Sequence, residues 1–400
     1  MSDLATRVTV ARAGALRRAA PALLGYASVR ATGLIVLALW SAGHGKHWYT
    51  LLTARWDALW YTGVAGLGYG YEVRLPNGDV HSNLAFFPLL PWLERLLAAI
   101  GPLSYADAGF AVSLVASLAA AWGIFAVADH VYGREVGIGA ALLWAVLPVG
   151  IVQSMAYSES LFTALAAWAL YAVLTGRWVT AGILALLAGL TRPVGLAVVA
   201  AVWAAALASF VGERSATAAD GARDALRAPA VTGQATARRL LGMALAPLGA
   251  AGYVLWVGHR TGKGPFGYLD VQAGWRNGFD GGYAFARFVA DKFTSFPSAL
   301  AGAGLIAGTA GVIWLYVIGV RQRQPLALLV YSGVVTALAL CASSYFGSKP
   351  RLLLPAFPLL LPLASALARR HVARSALVVG GVAVASALYG AFWLNGSGPP

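Results

Sequence analysis

ALLGYASVRATGLIVLALWSA, residues 22–42, carries one charged side chain, Arg30, in 21 positions. A helix rises about 1.5 Å per residue, so this run is long enough to cross the roughly 30 Å hydrocarbon core of a bilayer. Arg7, Arg12, Arg17 and Arg18 precede it. The apolar run is too long for the core of a signal peptide, and no small-residue cleavage site stands out. It is expected to be an uncleaved first helix with its N-terminus in the cytoplasm.

The same reading extends along the chain. Hydrophobic residues make up 59% and charged residues 11%, with a mean hydropathy of +0.71, which excludes an ordinary soluble domain. The runs lack the strict alternation of a membrane β-barrel. The expected architecture is therefore an all-α polytopic membrane protein, one transmembrane domain over 1–400. About eleven spans are expected, near 22–42, 108–128, 135–152, 159–175, 178–191, 194–211, 239–258, 299–320, 325–343, 352–368 and 375–394. The fifth and sixth are short and meet at Thr191-Arg192-Pro193, which reads as a broken pair.

Net charge is +14, yet its distribution argues against nucleic acid as a partner. With the N-terminus inside, cytoplasmic segments hold sixteen Lys/Arg against six acids and outer segments twelve against nine. That is the asymmetry of membrane orientation, and it places the protein in the cytoplasmic membrane. The prevalence of Arg, Ala and Gly points to a GC-rich bacterial genome. The single cysteine, Cys341, excludes a disulfide framework and a cysteine metal site.

Three connecting segments are long. The first outer loop, 43–107, holds RWDALWY (55–61), GLGYGY (66–71) and NLAFFPLLP (83–91). Pro88, Pro91 and the run to Ile100 predict an interfacial amphipathic helix. The second outer loop, 259–298, holds FGYLDVQAGWRNGFDGG. The cytoplasmic segment 212–238 is low in complexity and reads as a linker. No internal repeat is present, so an inverted-repeat transporter gains no support.

Polar residues gather on the outer side. Asp57 and His81 lie in the first loop, Glu159 starts the fourth span, and Arg192 sits at the turn between the fifth and sixth. Gln272, Trp275 and Arg276 are in the second loop, and Lys349 and Arg351 precede the tenth span. A carboxylate at the hydrocarbon boundary loses hydration and is seldom kept there for packing, which makes Asp57, between Trp56 and Trp60, the candidate catalytic residue.

No nucleotide-sugar or ATP pool exists outside the cytoplasmic membrane, so group transfer there needs an activated donor carried by lipid. A polyprenyl-phosphate sugar fits: its tail dissolves among helices and its phosphate calls for Arg or Lys at the boundary. Arg192, Lys349 and Arg351 are placed for the phosphate. Trp56 and Trp275 offer faces for the sugar. Trp60, Tyr61, His81, Glu159 and Gln272 complete the candidate substrate-binding set. A single carboxylate suffices, because phosphate leaves without protonation, unlike the leaving group of a glycosidase. Direct displacement inverts the anomeric centre.

Six motifs match a known pattern in order: WDALWYTGVAGLGY (56–69), AFFPLLPWLERL (85–96), YSESLF (157–162), LTRPVG (190–195), FGYLDVQAGW (266–275) and KPRLLLPAFPLL (349–360). With them the chain resembles the PIG-V family of GPI mannosyltransferase 2-like proteins, within the GT-C glycosyltransferases. The resemblance implies a GT-C helical bundle, a polyprenyl-phosphate-mannose donor and an essential acid in the first outer loop, which falls on Asp57. GT-C enzymes often pair acids in that loop; here the motif holds one, with Glu72 and Asp79 further on. A GPI acceptor is not carried over to a bacterium; a cell-envelope glycan, glycolipid or secreted protein is expected instead.

Each residue also has a plainer reading. Asp57 can cap a helix beginning near Ala58, and Glu159 can be a first-turn acid. Arg192 can satisfy carbonyls freed at a broken helix, while Lys349 and Arg351 can snorkel. His81, Gln272 and Trp275 can be ordinary loop residues or interface anchors. No metal-binding spacing is present, and Asp57, Glu72 and Asp79 form no cation loop, so no metal or other cofactor is expected; a divalent cation has no motif behind it. Transfer of arabinose or glucose, a noncatalytic partner role, and a flippase for lipid-linked solutes remain as alternatives. A flippase should carry ionisable groups at the bilayer midplane, and apart from Arg30 early in the first span the spans are nearly free of charge.

Overall fold

The computed structural model describes residues 2–219, 229–343, 345–396 and 398. In chain order the helices are α1 (Ser2–Gly43), α2 (Trp48–Thr53), α3 (Asp57–Leu67), α4 (Leu89–Ile100), α5 (Tyr105–Tyr132), α6 (Arg134–Ala145), α7 (Glu159–Leu174), α8 (Trp178–Gly189) and α9 (Leu196–Ala219). They continue as α10 (Pro229–Leu245), α11 (Leu248–Thr261), α12 (Gly267–Gly274), α13 (Tyr283–Asp291), α14 (Phe296–Arg321), α15 (Leu326–Cys341), α16 (Lys349–Leu352), α17 (Leu361–Ala368) and α18 (Val372–Asn395). Two short antiparallel pairs, β1 (Glu72–Arg74) with β2 (Val80–Ser82) and β3 (Gly278–Phe279) with β4 (Ala342–Ser343), stitch the loops at one end.

The chain is a multi-pass membrane protein, and the expected crossings are not all single full-length helices. Among the described residues six helices are long and apolar enough to span: Gly14–Gly43, Tyr105–Tyr132, Pro193–Glu213, Gly233–Thr261, Phe296–Arg321 and Val372–Asn395. A pair bent by 76°, Phe346–Leu352 with Phe357–Ala368, would make a seventh. Glu159–Leu174, Trp178–Gly189 and Leu326–Cys341 are apolar but shorter. The run 135–152 fails as one span because α6 stops at Ala145 and the chain re-forms as a 3-10 turn at Gly150–Ser154. Arg30 donates to the carbonyls of Ala145 and Gly150 at that break. The charge inside the first span thus satisfies backbone that apolar surroundings would leave bare.

Buried side chains pair irregular backbone near the centre. Trp144 donates to the Leu354 carbonyl at 3.0 Å, Tyr331 to that of Pro355 at 3.0 Å, and Gln153 to that of Trp144 at 2.7 Å. Helix contacts otherwise rest on small residues, as expected where lipid competes equally for apolar surface. A Cβ on Gly242 would stand 2.3 Å from the Trp178 carbonyl oxygen, so α10 and α8 touch backbone to backbone. Large apolar residues such as Leu39, Val115, Leu300, Trp314 and Phe392 are exposed and supply the lipid-facing surface.

Of two connecting segments, one differs from expectation and the other matches it. The segment 212–238 is helical on both sides, with α9 reaching Ala219 and α10 starting at Pro229; residues 220–228 lie outside the described residues. Arg239 forks onto Glu213 at 3.0 and 2.7 Å, clamping the two helices where a loose linker was read. The interfacial helix appears as α4, burying Leu90, Pro91 and Glu94 while Trp92, Leu96 and Ile100 face outward.

Chain ends and loops sort to two ends of the bundle. Arg18 pairs with Asp129 at one end. At the other, Ser104 and Asp107 form a capping box that starts α5, and Lys46 reaches the Asn395 carbonyl to join α1 to α18. The loop elements α2–α4 sit at this second end, and so does the site.

Candidate active site

Asp57 is the first residue of α3, and the N-cap position belongs to Trp56, which makes no side-chain cap. The capping role open to Asp57 is therefore not what the structure shows. Trp56 has φ 49° and ψ −121°, a backbone region that normally takes glycine, and holding a tryptophan there costs on the order of 1–3 kcal/mol. Two contacts oppose that cost. Arg55 stacks over the Trp56 ring at 3.9 Å, and its guanidinium donates to the carbonyls of Leu394 at 3.0 Å and Gly396 at 3.3 Å. The strained turn swings Asp57 inward.

The Asp57 carboxylate meets Arg351, with Oδ2 3.0 Å from Nη1. Nε of the same guanidinium lies 3.3 Å from Glu159 Oε1, and that oxygen is 2.6 Å from Arg192 Nη1. An alternating chain, Asp57–Arg351–Glu159–Arg192, results from four distant segments. Its formal charges cancel, which such burial requires: the Glu159 side chain is 1% exposed, and Asp57 at 23% is the most open member. Arg192 also donates to Ser158 Oγ at 3.1 Å, and the Tyr61 hydroxyl is 2.7 Å from that oxygen. Burial pushes the Tyr61 phenol pKa up, so it stays a neutral hydrogen-bonding group.

Distance and direction part company here. Glu159 Oε1, and Nε and Nη1 of Arg351, have close ionic contacts but no aligned hydrogen bond among the described residues. The arginine therefore keeps directional donor capacity, which a tetrahedral oxyanion could use.

The other expected site residues fall into two groups. Trp60, on the helix of Asp57, packs against Phe86 at 5.6 Å and Trp275 at 4.9 Å, while Tyr61 meets Phe86 edge-on at 5.2 Å. His81 stacks on Trp275 at 4.0 Å, and Trp275 donates to the Ser82 carbonyl at 3.0 Å. Gln272 donates to the Tyr268 hydroxyl at 2.6 Å and accepts from Asn277 at 3.0 Å. These residues build an aromatic wall continuous with the ionic chain, in which the Trp275 ring is already packed on several sides.

Lys349 stands apart. Its ammonium donates to the carbonyls of Ala339, Leu340 and Ala342 at 2.8, 3.3 and 2.9 Å, tying down the end of α15. Those bonds match its three hydrogens, and the structure does not bring it into the ionic chain.

Some members were not singled out from sequence. Ser158 and Tyr157 lie inside the YSES motif, and the Tyr157 ring is 5.2 Å from the Arg351 guanidinium. Glu94, behind the site on α4, is buried with no hydrogen-bond partner among the described residues. Burial pushes its pKa up to about 9. A Cβ at Gly109 would come within 2.5 Å of its Oε1, so α5 offers this acid a glycine-sized berth. Beside α7, Leu93, Val112, Ala116, Leu161, Leu165 and Trp168 line an apolar groove of about 400 Å³. Leu161, which lines the groove, is two residues past Glu159 and so faces a different side of α7 from the buried acid. Among the described residues no group of three or more His, Cys, Asp and Glu could hold a metal ion.

Residues 42–229 match the family model described as Mannosyltransferase (PIG-V), which bears out the resemblance drawn from the motifs. No curated protein matches the sequence. The chain is similar to the crystal structure of ArnT from Cupriavidus metallidurans bound to undecaprenyl phosphate, at 15% identity and a TM-score of 0.51, over 90% of this chain and 63% of that one. The apo state of the same protein gives 14% identity and a TM-score of 0.49, covering 92% and 63%. The archaeal oligosaccharyltransferase AglB from Archaeoglobus fulgidus, in complex with an inhibitory peptide and a dolichol-phosphate, gives 13% and 0.43, covering 94% and 56%. The chain spans under two thirds of the length of these structures. The likeness to the ArnT structure is one of fold, a multi-pass helical membrane bundle.

Proposed function

We propose that this chain is an inverting glycosyltransferase that moves mannose from a polyprenyl-phosphate-mannose donor to a cell-envelope acceptor, with its site facing away from the cytoplasm. The observation that carries the reading is the alternating chain Asp57–Arg351–Glu159–Arg192. It combines a partly open carboxylate with two arginines that can turn toward an anion. The family match supports the sugar. The lipid is supported by the ArnT structure, whose bound molecule is undecaprenyl phosphate.

The proposed chemistry follows from charge. Without donor, Arg351 neutralises Asp57. An arriving phosphate competes for Arg351 and Arg192, and Glu159 keeps both guanidiniums in place as they reorient. Asp57 then faces the acceptor with its pairing loosened. An acceptor hydroxyl gives its proton to Asp57 as its oxygen bonds to the anomeric carbon. The bond from that carbon to the phosphate oxygen breaks with its electron pair going to the phosphate, where the arginines meet the growing charge. Attack from the face opposite phosphate inverts the centre. The prenyl tail lies in the apolar groove beside α7, and the wall of Trp60, Phe86 and Trp275 borders the sugar.

The test is to incubate the purified chain, in lipid discs, with radiolabelled polyprenyl-phosphate mannose and membrane extract, then to identify the labelled product. A new mannosylated envelope molecule is the expected result. Donor left intact under all conditions would remove the reading.

A further inference from the structure

At the site end of α1 and α18 a second cavity, about 480 Å³, is lined by Trp40, His44, Tyr345, Phe392, Trp393 and Asn395. Trp40 and His44 stack with ring centres 5.8 Å apart and planes within 3°. Asn395 donates to Ser41 Oγ at 3.0 Å and to the Ala391 carbonyl at 2.9 Å. Among the described residues no donor reaches its Oδ1.

The cavity is coupled to the site by covalent and hydrogen-bonded structure. Its wall at Leu394–Gly396 is held by Arg55, two residues before Asp57, and Lys46 fastens the Asn395 carbonyl from the α1 side. Tyr345 approaches from the segment that leads into Arg351. The cavity thus borders both strands of chain that supply the Asp57–Arg351 pair, on elements separate from the aromatic wall of Trp60 and Trp275.

Its lining selects a ligand class. No Asp, Glu, Lys or Arg is among the six side chains, and the two cations at its edge, Lys46 and Arg55, are engaged by the Asn395, Leu394 and Gly396 carbonyls. Rings that serve only as interface anchors point outward to the headgroups; here Trp40 and Trp393 wall an open concavity with an amide and an imidazole, and the exposed rings of Phe392 and Tyr345 stand at its rim. Flat apolar faces mixed with neutral hydrogen-bonding groups suit a molecule with apolar ring faces and hydroxyl edges. We infer that this cavity binds a neutral hexose glycan, the non-reducing end of the acceptor. That acceptor role rests on the transferase reading above.

The experiment is saturation-transfer NMR with α-linked mannobiose as the probe and the full chain in lipid discs. Binding by wild type is expected, with affinity reduced about tenfold or more by Trp40→Ala and by Tyr345→Ala, whose ring is exposed and whose loss spares the core. No saturation transfer to wild type overturns the inference, and so does affinity unchanged in both cavity variants. Because no donor is present, failure of the donor-cleavage test above would leave this result standing, and the two ideas can fail separately.

Discussion

Arg351 stands between the two acids of the site, its Nη1 3.0 Å from Asp57 and its Nε 3.3 Å from Glu159. One guanidinium thereby sets the charge state that both carboxylates feel. Its position between them is the reason a phosphate would alter Asp57 without touching it.

Arg351→Ala should weaken donor binding and slow turnover together, because the same group restrains the base and receives the leaving phosphate. A loss of about 10²–10³ in kcat/KM is expected, the scale of removing one preorganised donor. Steady-state kinetics with varied donor measures it. Unchanged constants would separate Arg351 from the phosphate.

Glu159→Gln keeps the shape of the side chain but leaves two buried arginines with one acid between them. Breaking a buried ionic network in this way costs on the order of 3–5 kcal/mol, read as a lower Tm in detergent. Activity should fall as well, since both guanidiniums lose their anchor. A variant as stable as wild type would show that water reaches the chain of charges.

Glu94 gives the protein a pH dependence of stability. Its carboxyl ordinarily ionises near 4.5, and burial raises this to about 9 in the folded chain. Folding therefore takes up a proton between those values. The stabilising state is complete below about 4.5 and is lost as pH climbs toward 9, by about 1.4 kcal/mol for each pH unit at most. Glu94→Gln should flatten the Tm profile across pH 6–9 and raise Tm at its upper end. Parallel profiles for the two proteins would contradict the assignment.

The groove beside α7 can be filled without altering the charges. Leu165→Trp should raise the KM for a long-chain polyprenyl donor by about tenfold while changing that for a short-chain analogue little. Equal effects on both donors would place the tail elsewhere.

Much of this was legible in the residues. The apolar runs gave the membrane bundle, and the positions of Asp57, Glu159, Arg192 and Arg351 at run ends gave the members of the ionic chain. Their pairing was not legible, because it depends on bringing positions 57, 159, 192 and 351 together across the fold. Hydropathy also could not tell Lys349 from Arg351. The two lie two residues apart, yet one spends its hydrogens on carbonyls and the other meets both acids. The run 135–152 reads as one span for a similar reason: hydropathy averages over the break at Ala145, where Arg30 and Gln153 donate to the freed carbonyls. Glu94 lies on the expected interfacial helix, and hydropathy carries no sign of the berth at Gly109 that places it inside.

The most direct measurement is transfer by Asp57→Asn alongside donor affinity in the same preparation. Loss of turnover by about 10²–10⁴, with donor Kd within a few-fold of wild type, is the expected outcome for a base that does not hold the phosphate. Turnover within tenfold of wild type would contradict Asp57 as the group that takes the acceptor's proton.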